Sequence, residues 1–355
     1  MSRLLTSGFE VNSLSTSDAL TAPDGRRNTE GTGASTYAFQ SGSARSGGLG
    51  LRVVCAASVA NADHQQWSFT TSASGIDLFA RCYIRVTALP TTASTTHPFL
   101  ALDNGTNFWY VGVTDDGRFT LKIAGFATLQ TDANYIILNT WYRIEMRVRV
   151  GTGAIDQHEL RVNGDSIGSS TGNNITDTLL TGLRAGIRCG AGVGSGGGSS
   201  WDLDDIALND SFTSPNNSWP DEGRIVLLSP ATDSAVGTGW TLGTGTATGG
   251  NAHGSVDNEP PLGVADLAVG SDPKQIRNAA SSANSNYDAT MTSYTGAGLG
   301  TNDTVTIVTP IVATAAPVST SAKQGTIGVV SNPAIANIAL AAGGTSGAFW
   351  SGTAG

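Results

Sequence analysis

Between residues 49 and 209 apolar and polar side chains alternate with a period of two, the spacing of strands buried on one side only. The pattern is cleanest over residues 141–150, where Tyr142, Ile144, Met146, Val148 and Val150 take one phase and Trp141, Arg143, Glu145, Arg147 and Arg149 the other. Leu160 and Val162 resume the inward phase beyond a Gly-rich link, and Asn163-Gly164 then supplies a strong hairpin turn signal. Leu78, Ala80, Cys82, Ile84 and Val86 alternate with Phe79, Arg81, Tyr83 and Arg85. The turn Thr114-Asp115-Asp116-Gly117 predicts a hairpin of residues 108–113 with 118–123. In it Trp109, Val111 and Val113 share one phase and Phe108 and Tyr110 the other, and the pattern leaves open which set faces out. Leu183, Ala185, Ile187 and Cys189 alternate with Arg184 and Arg188, and residues 201–208 read as a closing strand. Many short strands, irregular connections and no helical stretch predict an all-β fold, an antiparallel jelly-roll sandwich followed by a second, smaller β domain. The Pro- and Asn-bearing break after Ser211 sets the boundaries at 1–212, a linker at 213–220 and a β-rich assembly domain at 221–355. From residue 281 onward only Asp288, Asp303 and Lys323 are charged, and the sequence stops at Gly355 without a terminal element, an ending compatible with a longer natural chain.

Composition narrows the partners. Nineteen Lys and Arg against 28 Asp and Glu give a net charge of −9 over 355 residues. A chain this acidic is a poor nonspecific nucleic-acid binder, because phosphate contacts need many cations. Apolar residues make up 39% and there are seven Trp, which excludes charge-driven disorder. No run approaches the ~18 apolar residues of a membrane span, and the first eleven residues show no secretory h-region. Cys55, Cys82 and Cys189 are widely spaced and inward in phase, so they read as inert core thiols. The charge-poor tail offers neutral surface suited to self-association, so a homo-oligomer is expected.

The Trp-led strand at 141–150 followed by Leu160-Arg161-Val162-Asn163-Gly164 resembles concanavalin A-like (LamG-like) jelly rolls. A longer series resembles tailed-bacteriophage virion proteins that join such a jelly roll to a second β domain. It comprises Ser7-Gly8-Phe9-Glu10, residues 201–210, residues 217–225 and Val256-Asp257-Asn258-Glu259-Pro260-Pro261. The resemblance covers residues 5–265 and implies a non-enzymatic structural component of the virion, tail-associated or decorating the head, packed against other virion proteins and in contact with host cell-surface polysaccharide.

Two sets of residues bear on chemistry. Arg81, Arg85, Arg143, Arg147, Arg149, Arg161, Arg184 and Arg188 all fall in outward phases with Tyr83, eight of the fifteen cations before Ser211. Two Glu in phase with them, Glu145 and Glu159, cannot neutralise eight Arg, so a docking face for an acidic subunit or anionic glycan is expected; the alternative is a solvated face with cross-strand pairs. The acids Asp202, Asp204 and Asp205 admit a glucanase-type carboxylate pair, although the leading Glu of that pattern is missing. Asp205 breaks the alternation, which a β-bulge or a bound cation explains. In many jelly rolls of this resemblance a structural calcium sits near the chain ends, and Glu10 with Asp205 would supply oxygen ligands, against a reading as plain solvated acids. His64, His97, His158 and His253 occupy polar contexts and read as surface or loop residues.

Overall fold

The alternating stretches become strands. The computed structural model describes residues 3–9, 26–28, 36–55, 64–69, 75–105, 107–123, 128–149, 157–171, 179–186, 198–212 and 216–225, together with short strands between 230 and 351. Up to residue 210 these are β1 (Arg3–Ser7), β2 (Arg26–Asn28), β3 (Thr36–Gln40), β4 (Gly50–Cys55), β5 (His64–Ser68), β6 (Asp77–Ala88), β7 (Thr96–Asp103), β8 (Phe108–Thr114), β9 (Phe119–Ile123), β10 (Thr128–Thr131), β11 (Trp141–Arg149), β12 (Gln157–Val162), β13 (Asp165–Thr171), β14 (Gly182–Gly186) and β15 (Ser199–Asp210). No α-helix occurs among the described residues, and one 3-10 turn spans Ser41–Ser43.

Two antiparallel sheets form the jelly-roll sandwich. The eight-stranded sheet runs β13-β12-β11-β6-β15-β4-β3, with β1 also on β15; the seven-stranded sheet runs β10-β9-β8-β7-β14-β5-β2. Their inner faces carry the expected phases. Ile144, Met146 and Val148 of β11 meet Leu78, Ala80, Cys82 and Ile84 of β6 on one sheet, and Trp109, Val111, Val113, Leu100, Leu102 and Leu183 line the other. Phe108 and Tyr110 therefore point away from this core and pack with Ala101 on the outer side. Cys55 and Cys82 are buried thiols outside any disulfide, and desolvation raises both, Cys55 to about 11. Cys189 lies outside the described residues.

Local chemistry fixes the register. Asn163 and Gly164, at φ 55° and 95°, make the left-handed two-residue turn between β12 and β13, the geometry right-twisted hairpins favour. On β15 the register slips between Asp204 and Ala207, and Asp205 sits at φ 50°. This bulge converts an odd inward phase (Trp201, Leu203) into an even one (Ile206, Leu208), so all four stay in the core. Gln130 of β10 ties the sheets together at one edge: its Oε1 accepts from Leu160 N at 2.8 Å and its Nε2 donates to the His158 carbonyl at 3.0 Å.

The chain divides into two units, and the first ends at Ile225. Residues 216–225, expected as linker and start of the second domain, belong to that first unit. Trp219 packs edge-on against Phe79 at 5.2 Å, and Asp221 N donates to Glu145 Oε1 at 2.9 Å. The described strands beyond Ile225 form four two-stranded antiparallel ladders: Pro230–Val236 with Tyr287–Met291, Trp240–Leu242 with Ile276–Asn278, Ile311–Thr314 with Ala348–Ser351, and Gly325–Ser331 with Ala334–Leu340.

Candidate functional site

The outer face of the eight-stranded sheet is where the basic docking surface was expected. Arg81, Arg85, Arg143, Arg147, Arg149 and Arg161 do share it, as register partners across β6, β11 and β12. Arg184 does not, because β14 belongs to the opposite sheet, and Arg188 lies outside the described residues. Five of the six are held in ion pairs within the protein, and Arg81 donates to backbone carbonyls. Arg147 and Arg149 both bind Asp77, Arg85 and Arg52 bind Asp202, Arg143 approaches Glu145 at 3.3 Å, and Arg161 binds Glu159 at 2.8 Å. The expectation failed because Asp77 and Asp202 were absent from the charge count.

Residues 216–225 then seal part of this face. Arg81 is buried, donating to the carbonyls of Asp205 and Asp221. Arg161 lies 3.9 Å above the Trp219 ring. Tyr83 is buried beneath Arg45, whose guanidinium carbon stands 3.5 Å from the ring centroid, and its hydroxyl accepts from Gly223 N. Arg81 and Tyr83 are thereby closed to an external partner, whereas Arg161 stays part-exposed.

The acids of β15 are equally committed. Asp202, Asp204 and Asp205 are fully buried. Asp205 accepts from Arg45 Nη1 and Ser46 Oγ at 2.7 Å each and from Ile225 N at 2.6 Å. Glu10 lies outside the described residues, and no group of three or more potential metal-ligating side chains occurs among those described. Asp204 accepts from the backbone of Arg45, Ser46 and Asp205; burial, then the neighbouring Asp205, push its carboxyl up to about 9. A hydrolytic pair must reach a sugar and a water, so Asp202 and Asp204 are not one. Asp204 organises the protein's own backbone, and Asp202 holds the guanidinium groups of Arg52 and Arg85.

Three of the four histidines were misplaced by their polar sequence context. His64, His97 and His158 are all buried, and His253 lies outside the described residues. His158 Nε2 accepts from the Trp109 indole at 2.8 Å, and burial pushes its imidazole down to about 4. The signal was present: His158 shares the inward phase of Leu160 and Val162. His97 Nδ1 lies 2.6 Å from Ser199 Oγ.

The outer face of the seven-stranded sheet gathers chemistry the sequence did not single out. Lys122 on β9, Tyr110 on β8, Ala101 on β7, Arg184 on β14 and Gln66 on β5 are successive cross-strand partners. At ~4.8 Å per strand this line spans roughly 20 Å. Lys122 Nζ donates to Thr96 Oγ1 at 2.8 Å, and partial burial lowers its pKa from the ordinary lysine value. Arg184 Nε donates to Asp103 Oδ2 at 2.8 Å, its guanidinium lies 4.7 Å from the Phe108 ring centroid, and its Nη1 stands 3.5 Å from His64 Nε2. The hairpin expected from the turn would set Tyr110 opposite Leu121, and the observed register, one residue on, brings it to Lys122.

No protein-family profile matches the sequence, and no curated protein matches it. Solved structures do. An endo-β-1,4-glucuronan lyase from the fungus Trichoderma reesei is similar over 58% of this chain and 95% of its own, with 10% identity and a TM-score of 0.41. The cellulose induced protein Cip1 matches over 62% and 100%, at 17% identity and 0.41. A marine alginate lyase from Aplysia kurodai matches over 51% and 90%, at 10% identity and 0.38. The expectation of a non-enzymatic virion component is corrected: its Arg docking face is not assembled as expected, with Arg184 on the other sheet and five Arg in ion pairs of the protein's own, and two of the solved structures named above are described as polysaccharide lyases.

Proposed function

We propose that the outer face of the seven-stranded sheet binds an acidic polysaccharide and that the protein is a carbohydrate-active enzyme cleaving it by elimination. The observation that carries this reading is the line Lys122, Tyr110, Arg184 and Gln66 across five strands. It places an amine, a phenol, a guanidinium and an amide on one sheet surface of a protein whose net charge is −9.

The chemistry follows from what a uronate residue needs. The proton beside its carboxylate is acidic only if the charge that builds on that carboxylate is neutralised, and Arg184 is the guanidinium of this line able to do so. Lys122, on the strand beside Tyr110, serves as general base for that proton. Tyr110, on the adjoining strand, donates its phenolic proton to the departing glycosidic oxygen. The carbon–oxygen bond breaks, a carbon–carbon double bond forms in the uronate, and no water is consumed. Gln66 at the end of the line offers hydrogen bonds to sugar hydroxyls.

The test is incubation of the full chain with a panel of polyuronates and neutral glucans, read as the ultraviolet absorbance of an unsaturated uronate and as reducing ends. Cleavage confined to polyuronates is expected, with Lys122→Met and Tyr110→Phe each lowering the rate by roughly a hundredfold or more. Cleavage without an unsaturated product, or full activity in both variants, refutes the assignment.

A further inference from the structure

We infer that Asp103 is a positioning residue that presents Arg184 to the substrate carboxylate, an inference that rests on the site proposed above. Asp103 is only 2% exposed and ends β7 on the site face. Its Oδ2 accepts from Arg184 Nε at 2.8 Å, its Oδ1 lies 3.4 Å from Arg184 Nη2, and the same Oδ1 accepts from Gly105 N at 3.0 Å. The carboxylate is thus pinned by backbone before it pins the guanidinium. The Phe108 ring supports the guanidinium from a second direction. With one side edge and one face occupied, the corner left to meet an incoming carboxylate is Nη1, beside His64 Nε2.

Gly182 belongs to this device. It is the cross-strand partner of Asp103, and a Cβ placed there would stand 2.5 Å from Asp103 Oδ2 and 3.0 Å from Cγ. No other residue leaves room for the carboxylate in its present place. The glycine therefore protects a side-chain pose at a position where its backbone freedom is not required.

The arrangement is electrostatically paradoxical for a site that binds anions, because Asp103 offsets part of the charge on Arg184. Simple electrostatics says that removing the carboxylate strengthens anion binding. Positioning says the opposite, since a long cationic side chain released from its clamp must be ordered again by each substrate. The two accounts differ in sign.

The experiment compares wild type with Asp103→Asn and Gly182→Ala in steady-state cleavage of a polyuronate and in binding to the same polymer before and after chemical reduction of its carboxyl groups. Positioning predicts that KM for the polyuronate rises about tenfold or more in both variants. Weak binding of the reduced polymer stays unchanged. An unchanged or lowered KM in a folded Asp103→Asn protein overturns the inference, and a thermal destabilisation without a KM change marks a merely structural role and overturns it too. Should either variant fail to fold, solvent exchange of the Arg184 Nε–H in the wild type decides: protection supports the clamp, and exchange at the rate of a free arginine refutes it. A wild type that cleaves while Asp103→Asn behaves identically sinks this inference alone. A wild type that neither binds nor cleaves any polyuronate sinks the site and the inference together.

Discussion

Protonation of His158 should be one of the events that unfolds the jelly roll in acid. The imidazole is buried between the sheets, its Nε2 occupied as acceptor of the Trp109 indole proton. Burial lowers its pKa from 6.5 to about 4. The unfolded chain therefore takes up a proton near pH 6.5 that the folded chain refuses until about pH 4. Stability linked to this group is fully present above pH 6.5, falls as pH drops through that window, and levels off below about 4. At about 1.4 kcal/mol per pH decade, the whole window is worth about 3 kcal/mol, a large part of the roughly 5–15 kcal/mol that holds a typical domain folded. Gln in place of His158 keeps an acceptor for the indole and removes the titration. Urea unfolding of both proteins at intervals from pH 7 to pH 4 gives the assay, because every other titrating group cancels in the difference. Wild type should lose about 3 kcal/mol relative to His158→Gln across the range. A difference that does not change with pH would refute the assignment of the buried, neutral imidazole.

Two further perturbations probe the frame around the site. Gln130→Leu strands Leu160 N and the His158 carbonyl without their side-chain partners; a loss of roughly 2–4 kcal/mol is expected in chemical denaturation, and a neutral effect would show that water replaces the amide. Asp205→Ala removes the carboxylate that accepts from Arg45, Ser46 and Ile225 N and should cost about 1–3 kcal/mol, with limited proteolysis newly cutting within residues 216–225; resistance to protease there would count against the clasp.

Much of the sandwich was legible because burial on one face imposes a period of two whatever the topology. The hairpin at 114–117, the Asn163-Gly164 turn and the inward set of β11 follow from that rule and from turn chemistry. The irregular Asp205 was also visible as a break in phase, and the bulge explains it. Sheet membership was not legible. Eight outward Arg look like one surface in a sequence, yet Arg184 lies on the other sheet because β14 pairs with β7 and β5. Long-range neutralisation was hidden for the same reason: Asp77 reaches Arg147 and Arg149 across β6 and β11, some 70 residues apart in sequence. The proposed site takes Asp103, Tyr110 and Lys122 from the consecutive strands β7, β8 and β9 but Arg184 from β14, distant in sequence, and the four share no local motif that marks them as a group.

The place of β15 has a consequence for biosynthesis. It is the last strand of the sandwich in chain order, yet it lies between β6 and β4, and β1 also pairs with it. On the ribosome, everything up to residue 198 emerges with a gap in the middle of one sheet. Two unsatisfied strand edges and the apolar row behind them stay open to solvent until residues 199–210 arrive. A nascent chain stalled short of that point is a half-built layer inviting a stray strand, so translation speed over the Gly-rich stretch before Ser199 bears directly on the yield of native protein.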